Sequence, residues 1–198
     1  MSSITHKQKR IAAKFIQVTR DLVVNEGYES VTVRKVAHLA EYTFPALYHY
    51  FEDFDHLMVL TKAEMIRDAV NAIQHNIQKN GSESDLPITF KTYIRYYIEN
   101  PNIFRFFNYH ITPDKYQTLL MNETPDFNQL YTRSLAEYVK SGKLKSSDIE
   151  VFAKTVIFTI HGMIALSFSN NGDLNEDSIM KQFDHILSFI SSKGDSHE

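Results

Sequence analysis

The chain contains no cysteine, which excludes disulfides, thiolate metal sites, cysteine nucleophiles and thiol redox switches together. Tryptophan is also absent, and the six glycines (Gly27, Gly81, Gly142, Gly162, Gly172 and Gly194) stand far apart. No dinucleotide fingerprint, P-loop or nucleophile elbow can be assembled from residues so dispersed. The nine histidines include no His-x-x-x-His pair that would set two ligands on one helix face. The longest nearly apolar stretch, Val156–Phe168, is 13 residues and includes His161, whereas a membrane span needs about 20. The basic start, through Lys7, Lys9 and Arg10, has no apolar run behind it and does not read as a secretory signal. These absences lead us to expect no catalytic residues, no metal, no cofactor and no membrane association, with the cytoplasm as the compartment.

What is present is an ordinary folding composition. Of 198 residues, 43% are hydrophobic and 13% aromatic, at a net charge of -3, so there is ample apolar surface to bury. Apolar residues recur three and four apart through almost every segment, which predicts an all-α fold. In the first segment Ile11, Phe15, Ile16, Leu22 and Val23 form one stripe, with Lys9, Arg10 and Lys14 mostly off it, and Gly27 ends the helix. Thr32 caps a short second helix, and a third begins at Thr43 with Pro45 in its first turn and runs through Tyr50. Asp53 or Asp55 caps a long fourth helix reaching about Lys79, and residues 80–85 form a polar break. Further helices are expected over residues 87–99, 101–109, 113–121, 126–141, 147–169 and 175–192, giving about nine or ten in all.

Charge is divided unevenly. Residues 1–50 carry seven Lys or Arg against four Asp or Glu, and the remainder carries 14 against 20. Two short helices joined by the turn Glu41-Tyr42-Thr43, braced by a longer first helix and slightly basic, describe a helix-turn-helix.

The stretch from Gly27 to Phe51 resembles the DNA-binding head of TetR-type transcriptional regulators, over about 50 residues from Arg10 to Leu60. In that family a glycine closes the first helix, a threonine caps the second, an Ile/Val-Ala pair packs it, and a Leu-Tyr-x-x-Phe run carries the recognition helix. Here these are Gly27, Thr32, Val36-Ala37 and Leu47-Tyr48-His49-Tyr50-Phe51. Two departures stand out. The family's turn, commonly Ala-Gly-Val-Ser, is Ala40-Glu41-Tyr42-Thr43. Its Phe-x-x-Lys-Glu-x-Leu run, whose lysine reaches a phosphate, reads Phe51-Glu52-Asp53-Phe54-Asp55-His56-Leu57.

The resemblance implies a homodimer with an N-terminal three-helix DNA-binding head, residues 1–53, and a larger helical effector-binding and dimerisation domain, residues 54–198. The resemblance implies a phosphate contact for Tyr48, and position at the start of the second helix or in the first two turns of the third adds Thr32, Arg34, Lys35, Thr43, Phe44, Pro45, Ala46 and His49 to the DNA-facing set. Arg34 is suited to bidentate guanine recognition, Tyr48 to a phosphate, and Phe44 and Ala46 to thymine methyls. Leu47, Phe51, Val36, Ala37 and Leu39 are expected in the core. Lys7, Lys9, Arg10 and Lys14 are further phosphate candidates, with a solvated face as the competing reading.

Beyond the head no motif of comparable specificity occurs, but tyrosines crowd the middle. Converging tyrosines suit an apolar pocket with a few polar handles, and Tyr93, Tyr97, Phe104, Phe107, Tyr131 and His161 are the candidate contacts for a small apolar or aromatic effector. A core role is the competing reading for each. The last two helices, apolar nearly all round near Ile164 and carrying Ile186, are expected to pair with their copies in a second subunit, with Gly162 permitting close approach. The expected function is a cytoplasmic transcriptional regulator, a repressor released from a palindromic operator by its effector. The alternative is a helical ligand-binding or adaptor protein with weakened DNA binding, suggested by Phe54 and its acidic neighbours.

Overall fold

The computed structural model describes residues 6–81, 84–169 and 175–192; the expected polar break at 80–85 and the basic start therefore lie partly outside the described residues. Among them the chain is all helical, with ten α-helices: α1 His6–Glu26, α2 Val33–Leu39, α3 Phe44–Leu47, α4 Phe54–Lys79, α5 Leu86–Glu99, α6 Pro101–Tyr109, α7 Asp114–Glu123, α8 Gln129–Lys140, α9 Ile149–Ser167 and α10 Glu176–Ser192.

The local signals behind these boundaries are legible one by one. Gly27 adopts φ 86° and ψ 155°, an extended positive-φ conformation open essentially to glycine, and its amide donates to the Val23 carbonyl at 3.1 Å as α1 ends. The Thr32 side chain accepts from the Lys35 amide and caps α2. Asp53 rather than Asp55 caps α4, accepting the His56 amide at 2.8 Å, and Asp85 does the same for α5 through the Ile88 amide at 3.0 Å. The third helix is shorter than its sequence suggests. After Leu47 the amides of Tyr48, His49 and Tyr50 bond three residues back, to Pro45, Ala46 and Leu47, so the last turn tightens and the α-helix stops.

Glu41 stands where the turn needs a left-handed residue and takes φ 63° itself, a conformation glycine adopts without cost. Lys14 Nζ donates to its carboxylate at 2.9 Å across the turn, holding it below the usual carboxylate range.

The chain divides into two compact units. One holds the chain up to Val70 together with Asn100–Pro125; the other holds Asn71–Glu99 and the chain from Asp126 on. The long helix α4 runs from the first into the second. In the first unit Phe15 is fully buried, with the rings of Tyr42, Tyr50 and Phe51 around it at 5.3, 6.0 and 6.1 Å. Val36, Ala37, Leu47 and Phe51 complete this core, while Leu39, expected there, is 49% exposed at the end of α2.

Two later helices, the distant α6 and the adjoining α4, hold the head in the same unit. On α6, Phe106 stacks against Tyr28, and Asn102 Nδ2 donates to the Val24 carbonyl at 2.9 Å. Residues Arg20 and Asp68 form an ion pair between α1 and α4.

In the second unit, Phe90 of α5 packs against Tyr131 of α8 and Phe183 of α10 at 5.4 and 6.1 Å. Lys91–Asp184 and Arg95–Glu176 pairs tie α5 to α10 at its rim. Helix α9 buries Phe152, Val156, Ile160, Met163 and Ile164. Counted with the turn before it, Ser146–Ser167 spans 22 residues and is long and apolar enough to cross a membrane by length and composition. A core helix passes the same test, and α9 buries one apolar face while Val151, Phe158 and Leu166 stay exposed.

Candidate functional site

The local folding of the helix-turn-helix sorts its residues into two classes. Leu47 must be buried for α3 to pack on α2, and this turns Thr43, Phe44, Pro45 and, just beyond the helix, Tyr48 and His49 outward. Phe44 is 52% and Tyr48 48% exposed, which for large aromatic side chains leaves apolar surface without a covering neighbour. Ala46 is half-buried. On α2, Thr32 and Arg34 are exposed, and Arg34 makes no ion pair with any described residue. Lys35 differs, because its Nζ contacts Glu26 Oε2 at 2.5 Å. A phosphate contact from Lys35 therefore competes with a carboxylate already in place. Lys7, Lys9 and Arg10 lie exposed along α1, and Lys14 is engaged by Glu41.

The acidic run beside the recognition helix is also engaged. Glu52 and Asp53 meet Tyr116, and Asp53 meets Lys115, both from α7. Residue spacing gives no hint of this, since the partners lie more than 60 positions apart.

Residues 15–59 match the family profile of bacterial regulatory proteins, tetR family. The head is a tetR-family head. No curated protein matches the chain in sequence. Solved structures do match it in fold along nearly its whole length. The transcriptional regulator FadR from Bacillus subtilis, in complex with stearoyl-CoA, superposes with a TM-score of 0.63 at 14% identity, over 91% of this chain and 97% of that one. RolR in complex with resorcinol gives 0.65 at 14% identity, over 96% of each. The tetR-family regulator PfmR from Thermus thermophilus gives 0.59 at 18% identity, over 88% and 97%. At such identities these likenesses establish the fold alone, and the family profile covers residues 15–59.

The six effector candidates are divided between the two units. Phe104 and Phe107 lie on α6, in the unit that contains the tetR-family head, whereas Tyr93, Tyr97, Tyr131 and His161 lie in the other. Within that second unit Tyr93 and Tyr97 are buried edge to face, 4.9 Å between centroids. The Tyr93 hydroxyl and His161 Nε2 are 2.9 Å apart. Burial pushes the Tyr93 and Tyr97 phenols up and the His161 imidazole down, so all three are held neutral. Tyr131 alone of the six lines an apolar cavity of about 650 Å³ between α8 and α9, together with Asn128, Leu135, Ala153, Ile157 and Phe158. Phe158 and Ile157 carry no distinguishing sequence signal, because an apolar residue on a core helix reads the same whether it faces the core or a groove.

A second buried polar group was not visible in the sequence at all. Lys62 of α4 is only 5% exposed. Its Nζ donates to the His110 carbonyl at the end of α6, 3.0 Å, and lies 5.7 Å from the Phe106 ring centroid. Burial lowers its pKa to about 8. The His110 imidazole beside it is pushed down by burial and by Lys62, against the pull of Asp55. Nearby, His110 Nδ1 and Thr112 Oγ1 are buried without a hydrogen-bond partner among the described residues.

A lysine whose folded pKa is depressed destabilises the fold wherever it must stay charged. Below about pH 8 both states carry the ammonium and the penalty is complete; between pH 8 and 10.5 the unfolded chain holds a proton that the folded protein has released, so stability rises with pH. Lys62→Met should therefore raise the melting temperature at neutral pH by about 2–8 °C. It should also remove the rise between neutral pH and 10. Above 10 the buried tyrosines, which keep their protons longer when folded, reverse the trend in both proteins. Parallel melting profiles for the two proteins across that window would show that Lys62 is not the group responsible.

Proposed function

We propose that the protein is a DNA-binding transcriptional regulator, a repressor that acts in the cytoplasm as a homodimer on a palindromic operator and responds to a small apolar or aromatic effector. One observation carries the DNA-binding part: on a head matched by the tetR family, Thr43, Phe44, Pro45, Tyr48 and His49 turn outward beside Thr32 and an Arg34 that no described carboxylate engages. This is the arrangement in which a short recognition helix enters the major groove. Arg34 would read guanine, Phe44 and Ala46 thymine methyls, and Tyr48, Thr32, Lys35 and His49 the backbone.

Support for two copies comes from α9. Val151, Thr155, Phe158, Gly162 and Leu166 recur at spacings of three and four and are all exposed, beside exposed Phe189 of α10. An apolar stripe of that length on a core helix suits a second helix of the same kind, and a two-fold dimer calls for a two-fold operator. Ile164 does not belong to it, being fully buried in the protomer, so the expected role of this residue in pairing is withdrawn.

For the effector, the cavity at Tyr131 offers a mainly apolar wall with Asn128, Thr132 and the Glu150–Lys154 pair as its polar groups, and Tyr93, Tyr97 and His161 lie in the same unit. Phe104 and Phe107 remain candidates on α6. The named relatives bound to resorcinol and stearoyl-CoA agree with an effector that is aromatic or carries a long apolar part. The adaptor alternative keeps Phe54 as its motive, while the carboxylates of Glu52 and Asp53 are engaged by α7.

The test is selection from a random duplex library by the full-length protein. Enrichment of sequences with two-fold symmetry, and steep loss of binding with salt, is the expected result. No enrichment, or enrichment without symmetry, would count against the proposal.

A further inference from the structure

Helix α7 begins beside the turn that leads from the recognition helix into α4. Lys115 forms an ion pair with Asp53, and the buried Tyr116 places its hydroxyl 3.1 Å from both Glu52 Oε2 and Asp53 Oδ1. A phenol has one proton, so it donates to one carboxylate at a time and keeps both close. The Tyr116 ring lies flat on His56, centroids 5.3 Å apart and planes 14° from parallel, with the Lys115 ammonium 4.6 Å from the Tyr116 centroid. His56 in turn accepts the Glu52 amide at Nδ1, 3.1 Å, and sets its edge against Phe51, which packs on Phe15 at the centre of the head. A continuous series of contacts therefore runs from α7 to the core under the recognition helix.

Two more fastenings bind the same strap of chain, residues 100–125, to α4. Lys62 holds the His110 carbonyl at the end of α6, and Arg67 Nη1 donates to the Glu123 carbonyl at the end of α7, 2.5 Å. The charge balance gives this arrangement a direction. Glu52 and Asp53 follow the DNA-facing residues by one turn, and free carboxylates there would oppose an approaching phosphate backbone.

We infer that Lys115 and Tyr116 are positioning residues for DNA binding: they fix the turn after the recognition helix and hold its carboxylates in place, Lys115 offsetting the charge of Asp53, without touching DNA themselves. The inference rests on the DNA-binding reading above, and it makes the α6–α7 strap a lever on the head. Whatever shifts α7 away from Glu52 and Asp53 lowers DNA affinity.

The experiment compares full-length wild type with Lys115→Met, Lys115→Arg, Tyr116→Phe, Asp53→Asn and the Asp53→Asn/Lys115→Met pair, on a duplex selected by the wild type, across a salt series. Lys115→Met and Tyr116→Phe should each weaken binding about tenfold, Lys115→Arg should retain it, and the double variant should lose no more than Lys115→Met alone. The slope of log affinity against log salt should stay that of the wild type, since no phosphate contact is lost. A slope smaller by about one in Lys115→Met, undiminished on the Asp53→Asn background, would mean that Lys115 touches phosphate directly and would overturn the inference. Wild-type affinity in both Lys115→Met and Tyr116→Phe would overturn it too. Should the wild type itself select no duplex, the DNA-binding reading fails first, and the positioning role falls with it.

Discussion

Phe158→Asp is expected to turn the proposed dimer into a monomer and to weaken operator binding by at least about a hundredfold, while the isolated chain stays folded. Phe158 is 70% exposed in the protomer, so removing it opens no cavity and a carboxylate there is solvated. Against a second copy the same carboxylate would be buried without a partner, a cost that apolar interfaces do not tolerate. Loss of the second head then removes the effective concentration that joins two half-site contacts, which is worth about 10²–10⁴ in affinity. Gly162 offers an independent control. A Cβ added there meets nothing within 4 Å in the protomer, so no described neighbour explains a glycine in the middle of α9. Gly162→Ala should therefore stabilise the isolated chain and still loosen the dimer, by keeping two helices apart. Light scattering at micromolar concentration decides the matter. A Phe158→Asp protein that remains dimeric would remove α9 from the interface, and a monomeric wild type would remove the dimer.

Period and caps gave the helices because each is a local decision. The stripe through Ile11, Phe15, Leu22 and Val23 needs only a turn of 3.6 residues, and Gly27, Thr32 and Asp53 act on neighbours one turn away. What could not be read is every arrangement that depends on distant partners. Ile164 and Phe158 are both apolar residues on one helix, and only the packed fold decides that the first faces inward and the second outward. Leu39 looks like core by spacing and is exposed, because α2 ends at that residue and no described element covers it. The acidic run at Glu52 and Asp53 reads as a fault in a DNA-binding head until Lys115 and Tyr116 are seen beside it. The tyrosine excess raised a pocket as an expectation, but composition cannot separate Tyr93 and Tyr97, which fill space against each other, from Tyr131, which borders an opening. The head was legible because a recognition helix must keep a fixed set of residue types in a fixed order; a pocket imposes no such order.

Arg34→Ala and Tyr48→Phe should both impair operator binding, in ways that tell their roles apart. Arg34 is exposed at the start of α2 and carries no carboxylate partner among the described residues, so its guanidinium is available without breaking anything in the free protein. A bidentate contact to a guanine edge is worth about 1–3 kcal/mol of discrimination against the wrong base. Arg34→Ala should cost that much on the selected operator, roughly 5- to 150-fold, while binding to random duplex falls far less, so that preference at one base pair in each half-site relaxes. Tyr48, 48% exposed just after α3, presents its hydroxyl without a partner among the described residues. Removing only that oxygen should weaken operator and random duplex by a similar factor, about three- to tenfold, and leave the preferred sequence unchanged. Binding measured on the operator, on its single-position variants and on random duplex separates these outcomes. If Arg34→Ala lowers affinity equally on every sequence, Arg34 is a backbone contact and guanine recognition must come from elsewhere on the head. If Tyr48→Phe alters the preferred sequence, the phenol reads a base rather than the backbone.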